Sequence, residues 1–129
     1  MLENRVIRPV YATRTLSTLV EQFSIFTSLL DKECDLDMGD TEKFQLNSNA
    51  PVLKEFELVT EGIKLGYEPI LGSKAAPLID AFADKLIVEA KTLADTTGDL
   101  EDPIYNTKQK VLKEYHKLVD YFRQLDNLY

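Results

Sequence analysis

The stretch from Pro103 to Tyr129 is patterned as one amphipathic helix. Ile104, Val111, Tyr115, Leu118, Phe122, Leu125 and Tyr129 recur at spacings of three, four and seven, which sets them on one stripe of a 3.6-residue helix. Lys108, Lys110, Lys113 and Lys117 fall mostly to the side of that stripe. A helix this one-sided has to bury its stripe against other elements. The chain is therefore expected to fold, and to fold as an all-α domain.

Three further helices are expected upstream. The first spans about Thr13 to Cys34, with Leu16, Leu19, Val20, Phe23, Phe26, Leu30 and Cys34 on its main face. Between Thr15 and Leu30 its only charge is Glu21, which makes it the least water-seeking of the four. A polar connection, Asp35–Asn49, follows. Ser48 or Asn49 is the expected cap of a second helix with Pro51 in its first turn. That helix carries Val52, Phe56, Val59, Ile63 and Tyr67 on one face and ends near Gly66, and Tyr67–Gly72, with Pro69, breaks it. Ser73 is the expected cap of a third helix from about Lys74 to Asp95, its face formed by Ala75, Leu78, Ile79, Phe82, Leu86, Ala90 and Leu93. Gly98 is a natural stop. Asp102 and Pro103 would open the fourth helix as N-cap and first residue.

Four amphipathic helices in 129 residues imply a single four-helix bundle. Short second and third connections favour an up-down-up-down order. Residues 1–12 read as an irregular N-terminal arm, because Pro9 opposes a helix passing through, and residues 13–129 as the bundle domain.

Composition narrows the function classes. No apolar run approaches the roughly 18 residues of a membrane-spanning helix, and the first residues lack the charged-then-apolar pattern of a secretory signal. The lone cysteine, Cys34, cannot form an internal disulfide, which favours a reducing, cytoplasmic setting. The net charge of −7 opposes nucleic-acid binding, which needs Lys and Arg against phosphates. The charge is uneven. Residues 21–102 hold 7 basic and 18 acidic side chains, whereas residues 103–129 hold 5 basic and 3 acidic.

No catalytic or metal pattern emerges. From Asp35, the acidic run to Glu42 places glycine at position 5 and Leu46 at position 12, where a calcium loop needs glycine at 6 and a closing Glu at 12. The turn Gly66 to Lys74 has its glycines one residue too far apart for a phosphate loop, and Ser73 and Lys74 are swapped. One histidine, His116, and one cysteine are too few for a di-iron or zinc site. Cys34 continues an apolar face and reads as a structural thiol. Asp80 and Asp84 lie roughly opposite the face of their helix and are expected in water. No cofactor and no enzymatic activity are expected.

What remains is surplus apolar surface. Ile25 and Leu29 are four apart and well off the main face of the first helix, and Leu58 and Leu65 are seven apart and nearly opposite the main stripe of the second. Ile87, Val88, Leu112 and Val119 add to it. Such pairs at helical spacing suggest a second buried surface. The chain is thus expected to be a non-enzymatic interaction, assembly or regulatory protein. Ile25, Leu29, Leu58 and Leu65 would be its contact residues, and its partner another protein or a second copy in a homo-oligomer. The other reading is a bundle that holds an apolar ligand or cofactor among Phe23, Phe26, Phe56, Phe82 and Phe122.

Overall fold

The computed structural model describes the backbone of residues 2–36, 42–96 and 99–127, and the side chains of residues 11–31, 51–66, 75–96 and 99–124. Its helical segments are α1 (Leu2–Leu36), α2 (Glu42–Asp95) and α3 (Glu101–Asn127). No strand occurs among the described residues. The protein is an all-α bundle.

The three segments supply four packed arms because α2 reverses direction. Lys64 Nζ lies 3.1 Å from Asp84 Oδ1, and Lys91 Nζ lies 3.7 Å from Glu57 Oε1. Along an unbroken helix the second pair would be about 50 Å apart. As the residue number rises on one side of these pairs it falls on the other, so the two arms of α2 run antiparallel about position 74. The helix end expected near Gly66, the break at Tyr67–Gly72 and the cap at Ser73 are not borne out as non-helical backbone: residues 67–74 remain helical within α2, and their side chains lie outside those described. A second ladder, Lys110–Glu89 at 3.2 Å and Lys85–Glu114 at 3.9 Å, runs α3 antiparallel to the second arm of α2. The closest backbone approaches are those of α1 to α2 and to α3, whereas α2 and α3 meet mainly through these long side chains.

The core is built on α1. Ala12, Leu16, Leu19, Phe23, Phe26 and Leu30 are all fully buried, as the periodicity predicts. They meet Ile79, Phe82, Ala83, Leu86, Ala90 and Leu93 of α2, with Val111, Val119 and Phe122 of α3, in one continuous cluster. Threonine is a mediocre helix former, yet α1 buries two, and each hydroxyl finds a backbone acceptor. Thr15 Oγ1 donates to the Tyr11 carbonyl at 2.7 Å, and Thr27 Oγ1 to that of Ser24 at 2.9 Å. Burial, not propensity, holds this helix.

Several boundaries differ from expectation. The irregular arm expected at 1–12 is not found among its described residues: the backbone is helical from Leu2, and Ala12 is fully buried in the core. Pro9 removes one hydrogen bond to the Arg5 carbonyl, and that loss does not end a helix whose following turns are tightly packed. The expected connection at 35–49 is also shorter, since α1 reaches Leu36 and α2 begins at Glu42. Glu42, Lys43, Gln45 and Leu46 are good helix formers, so polarity there does not mean a loop. Ser48 and Asn49 lie within the helical backbone and do not cap it, and Pro51 is interior to α2.

At the start of α3 the cap is set earlier than Asp102. Asp99 Oδ1 accepts the Glu101 N–H at 3.0 Å, and the Leu100 carbonyl accepts the first helical bond, from Ile104 N–H, at 2.9 Å. Asp102 and Pro103 sit in the first turn, where Pro needs no donor and the acids Glu101 and Asp102 face the positive helix end. The α2 helix closes at Asp95 with a short Thr96 N–H to Leu93 carbonyl bond of 3.2 Å. Gly98 lies outside the described residues.

Candidate protein-docking face

A shallow cleft runs between α1 and the first arm of α2. It is lined by Gln22, Ile25, Phe26 and Leu29 from α1 and by Val52, Glu55, Phe56 and Val59 from α2. Its floor is aromatic. Phe26 and Phe56 have ring centroids 5.1 Å apart, and Phe23 stands edge-on to Phe56 at 5.8 Å. The cleft holds about 50 Å³, far below the several hundred that enclose whole small molecules. It can seat one apolar side chain.

All four apolar residues singled out above are exposed. Ile25 and Leu29 are 46% and 41% accessible, and Leu58 and Leu65 are 66% and 68%. The first pair forms the α1 wall of the cleft. The second pair is placed differently. At about 100° per residue, Leu58 and Leu65 sit roughly 160–180° from buried Phe56, on the outward ridge of the arm and not in the cleft.

Between this ridge and the cleft lie Gly62 and Gly66. Among the described residues, a Cβ on either would meet no atom beyond its own helix backbone within 4 Å, so packing against those residues does not require glycine at either position. Going round the arm, the order is Val59, Gly66, Glu55, Gly62 and then Leu58 and Leu65. The face is thus a saddle with an apolar ridge on each side. Sequence periodicity found both ridges but not the glycine floor, because a residue without a side chain leaves no mark in a hydrophobic pattern. The spacing Gly62-Ile-Lys-Leu-Gly66 was the available signal.

The remaining surplus residues divide. Val88 is exposed, Ile87 and Leu112 are half-buried, and Val119 belongs to the core. It joins Phe122 because the buried stripe of α3 is wider than the one read from the sequence.

Polar groups near the face make a structural pair. Lys64, just behind the saddle, donates to Asp84 and lies 3.6 Å from Glu61. Burial disfavours the charged ammonium, but the Asp84 hydrogen bond and the carboxylates of Asp84, Glu61 and Asp80 outweigh it and raise its pKa above the ordinary 10.5. Asp84 thus faces solvent as expected, but with a cation across the arm junction.

No group of three or more His, Cys, Asp or Glu side chains that could hold a metal occurs among the described residues. His116 is exposed, with its ring centroid 5.3 Å from that of Tyr115. The Cys34 side chain, the side chains of the acidic run from Asp35 to Glu42 and those of the turn residues 67–74 lie outside those described. Among the described residues no helix is long and apolar enough to cross a membrane. No family model, curated protein or solved structure matches this chain.

Proposed function

We propose that this chain is a non-enzymatic protein-interaction module, acting in the cytoplasm, that docks a partner helix on the face formed by α1 and the first arm of α2. The observation that carries the reading is the exposure of Ile25, Leu29, Leu58 and Leu65 around a cleft floored by Phe26 and Phe56. Large aliphatic side chains this accessible leave apolar surface in water, and burying it against a partner is favourable. The small cleft volume favours a docked side chain over an enclosed ligand. The net charge of −7 supports a protein partner over nucleic acid.

The test is site-specific photocrosslinking in the producing cell, with a benzophenone side chain at position 29 or 58 and a control at exposed Thr92. Discrete protein adducts at 29 and 58, absent at 92, are expected. Identical or absent adducts at all three positions would remove the docking face. Replacing Ile25 and Leu29 with Asp should weaken association and leave the helical circular dichroism intact. Unfolding of that double variant would assign both residues to the core.

A further inference from the structure

Building on the docking reading, we infer that the partner on this face is a basic amphipathic helix, which sets Lys or Arg against Glu21 and Glu55 and one apolar side chain into the cleft. Glu55 lines the cleft itself. Glu21 sits one turn before the wall residue Ile25, on the same ridge of α1. Both are exposed, and among the described residues neither has a hydrogen bond or an ion pair. The carboxylates of the same arm that point away from the cleft are different: Glu57 is paired with Lys91 and Glu61 with Lys64.

The described cations of these two segments are Arg14, Lys54 and Lys64, and none meets the pair. Arg14 lies two turns, about 10 Å, before Glu21. Lys64 is held by Asp84 and Glu61. Lys54 lies about 100° round the arm from Glu55, past the Leu58 ridge. The cleft thus combines an aromatic floor with two carboxylates that the chain itself leaves unneutralised.

These charges choose between occupants. A second copy docked through the same face would add two more carboxylates to it, and like charges across an interface are costly. An acidic segment meets the same repulsion. A basic helix gains instead, and the balance of 7 basic to 18 acidic side chains over residues 21–102 speeds its approach. Glu21, Ile25 and Leu29 follow at spacings of four, so a helix lying along this ridge meets one carboxylate and then two apolar side chains.

Selection from a displayed library of helix-forming peptides of about 20 residues tests this on the full chain. It is run in parallel on the wild type and on Glu21→Lys with Glu55→Lys. The wild type should enrich peptides with Lys or Arg beside an apolar anchor, and the reversed variant should lose them and enrich acidic ones. Glu21→Gln with Glu55→Gln should weaken the wild-type binders about threefold to tenfold. Raising NaCl from about 50 to 300 mM should weaken them too. Both positions are exposed, so helical circular dichroism should be retained. Peptides of the same charge from both chains, or affinities indifferent to residues 21 and 55, overturn the basic partner. If Ile25→Asp with Leu29→Asp still releases such peptides, the docking face stands and only its charge preference falls. Peptides released by neither pair, or no enrichment at all, remove the docking face as well. A wild-type mass of twice 14.7 kDa that halves on Ile25→Asp with Leu29→Asp gives the face to a second copy and overturns the proposal.

Discussion

α1 and the first arm of α2 are neighbours with opposite characters. α1 buries six apolar side chains from Ala12 to Leu30 almost completely, and its two buried threonine hydroxyls are both bonded to backbone. Among its described side chains, residues 51–66, the first arm of α2 buries only Phe56 and Thr60, and the Thr60 hydroxyl has no partner among the described residues. It also turns two leucines and two glycines outward. One helix is built to hold the fold. The other is anchored by Phe56, with Val52, Leu53 and Ile63 only partly buried against the core, and it keeps more of its apolar side chains in water.

The contrast can be broken by mutation, and the largest effect should come from α1. Phe23→Ala removes a fully buried ring and should cost about 3–5 kcal/mol, seen as loss of the whole cooperative urea transition. Phe56→Ala should cost about 3 kcal/mol, but hydrogen exchange should show the loss concentrated in amides 51–66. A uniform loss of protection across α1 and α3 would mean that the two regions are equally structural.

Thr60→Val sharpens the comparison with an opposite sign. Because the buried hydroxyl has no partner among the described residues, the isosteric swap should stabilise by about 1 kcal/mol, read as a higher urea midpoint. Thr15→Val, where a hydroxyl bond is lost, should instead be neutral or cost about 0.5–1 kcal/mol. Equal effects at both sites would mean that Thr60 is bonded after all.

The smallest effect concerns the Lys64–Asp84 bridge, whose Asp84 side is solvent-exposed. A double-mutant cycle with Lys64→Met and Asp84→Asn should return about 0.5 kcal/mol at pH 8. The raised Lys64 pKa sets the sign of its pH dependence. The coupling is fully present below pH 10.5 and is lost as pH rises through the still higher folded value. A coupling unchanged well above that pH would show that the pair contributes no charge interaction.

Helix identity and facing were legible in the chain. Period 3.6 placed Leu16, Leu19, Phe23, Phe26 and Leu30 inside and put Ile25, Leu29, Leu58 and Leu65 outside, because a helix side chain's direction follows from its position along the turn. Where helices start and stop was less legible. Pro9, Ser48, Asn49 and Asp102 all signalled boundaries, yet the backbone runs through or shifts past them. A capping or breaking residue is worth about 1–3 kcal/mol, and after Pro9 the burial of Ala12, Thr15 and Leu16 outweighs that.

The amino-acid pattern alone therefore determined that this chain is helical, how many amphipathic arms it has and which of their faces seek burial. These are properties of one helix at a time. Only the tertiary structure decided that Lys64 meets Asp84, that Ile25 and Leu29 wall a cleft floored by Phe56, and that the Thr60 hydroxyl is buried with no partner among the described residues. Each depends on which arm lies beside which and in what register, and those relations are set by contacts between residues far apart in sequence, where no local periodicity can reach.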